Sequence, residues 1–202
     1  LPVSGIKIVQ DHGVIEIMRG CSHGCRFCHA GIFYRPLREK KITNILKEAE
    51  ENVFTCGYRE VTISSLSTGD YSQIDPLISL LTARFGENRV SFSLPSLRID
   101  SFTLNLLENV SKIRKSGLTF AVETPVPEWQ KGINKIVTFE KTVEIMLEAK
   151  SHGWRHGKFY FMLGLPVGGG SDETESIVEF ITDVQKKSGM TLNVNIGTFI
   201  PK

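Results

Sequence analysis

The chain has 202 residues, of which 41% are hydrophobic and 23% charged, with 24 Lys and Arg against 22 Asp and Glu for a net charge of +2. Those values exclude a disordered segment, a collagen-like fibre and a small disulfide scaffold. The near balance of charge gives no field that would attract nucleic acid by itself.

A chain of this length buries roughly 70% of its extended surface on folding, enough for one domain without staples. No run of 18 apolar residues is present, so no membrane-spanning helix is expected. The start, Leu1-Pro2-Val3-Ser4-Gly5, has neither the basic nor the apolar region of a secretory leader. It also lacks an initial Met, and the chain stops at Phe199-Ile200-Pro201-Lys202, just after an apolar stretch. Residues 1–202 are therefore expected to be one domain of a longer protein.

In chain order, Val14-Ile15-Glu16-Ile17-Met18 reads as a buried strand. A helix is expected from about Thr43 to Phe54, then a strand over Glu60–Ser64. Asp75-Pro76 reads as a cap followed by a first-turn proline, opening a helix that Gly86 stops. Arg89–Leu94 is a third strand, ended by Pro95. Asp100 or Ser101 is expected to cap a helix with Phe102, Leu106, Val110 and Ile113 on one face, ended by Gly117. Leu118–Glu123 is a fourth strand, Phe139–Ser151 a helix stopped near Gly153, and Phe159–Leu163 a fifth strand. Ser171-Asp172-Glu173 opens the next helix with a cap and two acids, its core positions are Ile177, Ile181 and Val184, and Gly189 ends it. Leu192–Ile200 is the sixth strand. Apolar strands alternating with amphipathic helices imply an α/β fold with a parallel sheet, either doubly wound or a partial barrel. In both, the working residues gather at the C-terminal ends of the strands.

Three of the four cysteines lie within eight residues: Cys21, Cys25 and Cys28. A disulfide framework would spread its cysteines to staple distant segments. The bunching reads instead as a metal or cluster site in a reducing compartment, the cytoplasm. The fourth, Cys56, stands alone and is expected to be buried and inert. Three thiolates leave a four-iron cluster one ligand short, so one iron would be open to a substrate or cosubstrate. The alternative is a structural zinc site with His23 or His29 as fourth ligand, although zinc ligands usually come as two separated pairs. Gly20 and Gly24 let the backbone turn tightly around the sulfurs.

The run Cys21-Ser22-His23-Gly24-Cys25-Arg26-Phe27-Cys28, placed directly after the first strand of a six-strand α/β chain, resembles the radical S-adenosylmethionine (SAM) superfamily. The resemblance implies a partial (β/α)6 TIM-like barrel, a [4Fe–4S] cluster on the three cysteines and SAM on the fourth iron. It further implies reductive cleavage of SAM to a 5′-deoxyadenosyl radical that abstracts hydrogen from a substrate. A flavodoxin- or ferredoxin-type protein would supply the electron. A narrower likeness rests on Cys28-His29-Ala30-Gly31, Tyr34–Glu39, Leu66–Tyr71, Leu94–Arg98, Ile133-Asn134-Lys135 and Leu163–Pro166. These resemble an uncharacterised bacterial group in which a cobalamin-binding-type domain precedes the radical SAM domain, so cobalamin would enter through a domain outside this chain.

The same resemblance suggests where SAM would lie. Phe27 would pack beside its adenine. Ser67-Thr68-Gly69-Asp70 would stand in for the Gly-Gly-Glu-like turn whose carbonyls receive the SAM ammonium, although the sequence departs from that pattern. Glu123 would accept ribose hydroxyls. Arg98 would meet an anion of SAM or substrate, and Gly164-Leu165-Pro166 would form the adenine-side turn. The loop Thr124–Glu128 has two prolines where relatives carry Gly and then Gln or Arg. Arg19, Arg26, Arg35, Arg38, Lys40 and Lys41 against the single acid Glu39 suggest an anionic substrate, a raised cluster potential, or only a solvated loop. The alternatives to hydrogen abstraction are a methylthiotransferase-like modification of RNA or protein, and a non-catalytic iron–sulfur electron-transfer or sensing module.

Overall fold

The computed structural model describes residues 5, 6, 8, 9, 11–95, 97–99, 118–167 and 172–201. The helix expected from Asp100 or Ser101 to Gly117 lies outside them, as do Gly168–Ser171. The described elements are β1 (Gly13–Glu16), β2 (Met18–Arg19), α1 (Ala30–Phe33), β3 (Arg38–Glu39), α2 (Ile42–Glu50), β4 (Glu60–Ser64), α3 (Ile74–Phe85), β5 (Ser91–Ser93), β6 (Leu118–Glu123), α4 (Pro127–Gly132), α5 (Phe139–Ser151), β7 (His156–Leu163), α6 (Glu173–Ser188) and β8 (Thr191–Thr198).

The six expected strands are all present, in two three-stranded sheets whose strands each pair parallel. One has the order β1-β4-β5 and the other β6-β7-β8. Among the described residues no ladder joins β5 to β6, so the strands form no closed barrel. Sequential order within each half, with helices between neighbours, is what right-handed βαβ crossovers produce. The alternating apolar residues of the strands fill the core: Ile15, Ile63, Phe92, Phe120, Phe159 and Phe161 are all at most 2% exposed. Leu77, Leu81 and Phe85 of α3 and Ile177 and Val184 of α6 close on them. Each such side chain contributes about 1.5–3 kcal/mol by leaving water. Aromatic contacts extend the packing, Phe85 on Phe92 at 5.4 Å and Phe120 on Phe159 at 5.9 Å.

Several boundaries differ from expectation. The first strand breaks at Ile17, because Met18–Arg19 leave the sheet to pair antiparallel with Arg38–Glu39. The second helix ends at Glu50 and runs on as a π-helical turn, Glu51–Thr55. Asp75 does not cap α3: the helix begins at Ile74 after Gln73, and one Asp75 carboxylate oxygen is buried without a partner. Gly86 does end it, as the C-cap residue, with its N–H donated to the Thr82 carbonyl. A 3₁₀ turn, Gly86–Asn88, follows, and the chain reverses at Arg89, which takes φ +54°. That turn shortens the third strand to Ser91–Ser93. Asp172 does cap α6, its Oδ1 accepting from the N–H groups of Thr174 (2.9 Å) and Glu175 (3.0 Å), and Gly189 ends the helix at φ +61°. Helix α4 carried no helical signal beyond Pro127 at its start. Cys56 is half-buried rather than buried and caps the π turn with its N–H.

Candidate functional site

The antiparallel β2–β3 ladder closes the base of a loop, residues 20–37, that carries all three clustered cysteines at the C-terminal edge of β1. Gly20 opens it at φ +96°; a Cβ there would lie 2.7 Å from the Tyr34 carbonyl oxygen, so the turn requires glycine. Within the loop, the Cys28 N–H donates to the Cys25 carbonyl at 3.0 Å. Cys25 is buried, Cys21 and Cys28 are half-buried, and all three are free thiols.

Residues distant in sequence hold this loop. The Asn134 Nδ2 donates to the carbonyls of His23 (3.0 Å) and Gly24 (3.2 Å). The Arg26 N–H donates to the Ile133 carbonyl at 2.9 Å, and its Nη1 to the Gly132 carbonyl at 2.7 Å. Asn134 manages this from a left-handed backbone, φ +55°, a conformation Asn tolerates better than most residues. The segment behind it is fixed by buried Gln130, whose Nε2 donates to the carbonyls of Thr124 and Val137 while its Oε1 accepts from the Val137 N–H. In the sequence Ile133-Asn134-Lys135 contributes to the narrower family likeness alone. Their signal is an Asn just past a helix end, which is weak without the fold.

The candidate SAM-contact residues fall into two groups. Asp70 ends the 3₁₀ turn Thr68–Asp70; its Oδ2 lies 2.5 Å from His23 Nε2 and also accepts from the Ser67 hydroxyl. Ser67 and Thr68 are buried, and Thr68 Oγ1 shares a hydrogen bond with Ser65 Oγ. The turn is therefore tied to the cysteine loop through His23. Arg98 donates from Nη1 to Cys25 Sγ at 3.3 Å. Glu123 follows a register slip at the end of β6, takes φ +68° and is 8% exposed. Its Oε1 accepts from Lys135 Nζ at 2.8 Å, and Lys135 Nζ lies 5.8 Å from the centre of the Phe27 ring. Phe27 also walls a cavity of about 610 Å³ with Cys28, His29, Phe33, Met162 and Phe199. Gly164, Leu165 and Pro166 do not line that cavity. Gly164, at φ +77°, donates its N–H to Glu173 Oε2, and Val167 lies against Gly132.

The basic stretch is largely spent internally. Arg19 pairs with Glu16, Lys40 with Glu48, Arg35 Nε donates to the Gly31 carbonyl, and Arg26 holds Gly132. The Arg19 hydrogen bond holds the Glu16 carboxyl below its ordinary range. These contacts weaken the expectation that the stretch draws an anionic substrate. His23 Nε2 lies against Asp70, and His29 packs on Phe33 with ring centres 5.6 Å apart. Among the described residues no three or more His, Cys, Asp or Glu side chains are placed to hold a single metal ion.

The profile of the radical SAM superfamily matches residues 15–181. The chain belongs to the radical SAM superfamily. That superfamily binds an iron–sulfur cluster and SAM, and the donor set here fits: three unpaired thiols, soft ligands suited to iron–sulfur centres, on one loop. Among relatives, the uncharacterised protein MJ0966 of Methanocaldococcus jannaschii is 30% identical over 191 residues, which are 94% of this chain and 40% of that one. The ribosomal protein uS12 methylthiotransferase RimO of Dechloromonas aromatica is 32% identical over 72 residues, 35% of this chain and 16% of that protein. The radical SAM chain thus spans well under half the length of these relatives. A solved structure, the radical SAM methyltransferase TsrM of Kitasatospora setae with cobalamin and [4Fe–4S] cluster bound, superposes with a TM-score of 0.74 at 14% identity. The match covers 92% of this chain and 36% of that one, and at this identity it concerns the fold. No helix among the described residues is long and apolar enough to cross a membrane.

Proposed function

We propose that this chain is the catalytic domain of a radical SAM enzyme in which Cys21, Cys25 and Cys28 hold a [4Fe–4S] cluster and SAM binds at the adjoining strand ends. The cluster that Cys21, Cys25 and Cys28 would hold would supply one electron for the reductive cleavage of SAM, the source of hydrogen abstraction from a substrate. The observation that carries this reading is the cysteine loop itself, three free thiols held at the sheet edge by a closed base and by Asn134 and Arg26.

The chain's own residues do the rest by position. Phe27 offers an apolar face beside Cys28 in a cavity suited to a nucleoside. Glu123 is held by Lys135 through Oε1, so a ribose-binding role falls to its Oε2. Asp70 acts through His23 on the loop rather than on a ligand, and the carbonyls of the 67–70 turn remain the candidates for the SAM ammonium. A flavodoxin- or ferredoxin-type partner supplies the electron, and cobalamin would be carried by a domain outside residues 1–202.

The match to RimO favours a second reading, methylthiolation of a macromolecule, for the complete protein. The test is anaerobic reconstitution with iron and sulfide, reduction by dithionite, addition of SAM and assay of 5′-deoxyadenosine. Product from the parent chain and none from Cys25→Ala is the expected result. A loaded four-iron cluster without SAM cleavage favours the electron-transfer module. One tightly bound zinc and no iron overturns the proposal.

A further inference from the structure

The position of Arg98 assigns it a different task from the anion contact its place after the third strand suggests. Its Nη1 lies 3.3 Å from the Sγ of Cys25, the buried member of the cysteine set, 73 residues away in sequence. Arginine is always charged, and an N–H donated from a guanidinium is among the stronger hydrogen bonds a sulfur can receive. Burial strengthens it, because a partly dry surrounding screens the charge less than water does.

We infer that Arg98 is a positioning residue that sets the reduction potential of the cluster through Cys25. This rests on the proposed ligation of iron by that cysteine. Reduction adds one electron, and part of the added negative charge falls on the ligating sulfurs. A cationic donor on one of them stabilises the reduced state more than the oxidised state, which raises the potential. Arg98 also ties the chain just after β5 to the cysteine loop, so the contact fixes which sulfur receives the charge.

The test is a redox titration without SAM, monitored by the electron paramagnetic resonance signal of the reduced cluster. It compares the reconstituted parent with Arg98→Lys, Arg98→Gln and Lys41→Gln. Lys41 is an exposed cation at the start of α2 and controls for the loss of a unit charge. At a fixed potential near the parent midpoint, Arg98→Gln is expected to lower the ratio of reduced to oxidised cluster about tenfold, equal to about 59 mV for a one-electron couple. Arg98→Lys should fall between Gln and the parent, and Lys41→Gln should match the parent. If Arg98→Gln does not load, Arg98→Lys carries the comparison. Equal midpoints in all loaded proteins overturn the inference, as does an equal shift from Lys41→Gln. Weaker SAM binding by Arg98→Gln with no shift returns Arg98 to the anion-binding role. A parent chain that binds no iron overturns the ligation itself, which is a separate failure.

Discussion

The ion pair between Lys135 and Glu123 lends itself to a quantitative test. The two atoms are 2.8 Å apart, and the side chains are only 7% and 11% exposed. At an effective dielectric constant of 20 their attraction is about 6 kcal/mol before desolvation is counted. Desolvation of both ions cancels most of that, so the pair contributes little net stability while intact. Removing one partner is different, because the other charge stays buried. Lys135→Met should therefore destabilise the chain by about 3–5 kcal/mol. For a chain of this size each kcal/mol moves the melting temperature by about 2–4 °C, so a fall of about 6–20 °C is expected. The double variant Lys135→Met/Glu123→Gln removes both charges and should recover most of the loss. Thermal and urea unfolding followed by circular dichroism measure both. A Lys135→Met chain within about 1 kcal/mol of the parent refutes the reasoning, and so does a double variant no better than the single one.

Gly20→Ala places a Cβ 2.7 Å from a backbone carbonyl at φ +96°, and should cost about 1–3 kcal/mol and lower iron content after reconstitution, read by metal analysis. Asp172→Ala removes the cap of α6 and should cost about 1 kcal/mol in urea unfolding, with iron content unchanged. Burial raises the Tyr71 hydroxyl above its ordinary value, and the hydroxyl donates to the Lys40 carbonyl at 2.7 Å. A raised folded-state value gives stability that is fully present below the unfolded value, about pH 10, and is lost as pH rises beyond it. Tyr71→Phe should cost about 1 kcal/mol at neutral pH and flatten the alkaline fall of the urea midpoint.

The sequence carried the strands and most helices because period and punctuation are local. Short apolar runs marked all six strands, and Asp172 and Gly189 bracketed α6 as their chemistry requires. It misplaced the start of α3 because a local rule competed with packing. Ile74 is drawn into the core one residue before the expected cap, whereas Gly86 does end the helix and the left-handed turn follows at Arg89. The cysteine set was legible because its spacing lies within eight residues. Its supports were not. Asn134, Arg98 and Lys135 meet the site only through tertiary structure, and nothing near them in sequence announces it. Arg98 stands just past the third strand, where the sequence suggests an anion contact, and there it donates to the sulfur of Cys25. Asp70 faces His23, 47 residues away, a contact that the sequence does not announce.

The clamps on the cysteine loop also order events during synthesis. The contacts to Cys25, Gly132, Gly24 and His23 span 73, 106, 110 and 111 residues. Closing such long separations is slow compared with forming local helices. A nascent chain that has emerged as far as the second strand exposes three cysteines on a loop with no tether. That loop can take its final shape only once the segment Gly132–Asn134 has been made and has folded beside it. A truncated chain that ends before Gly132 should therefore keep the three cysteines on an untethered loop.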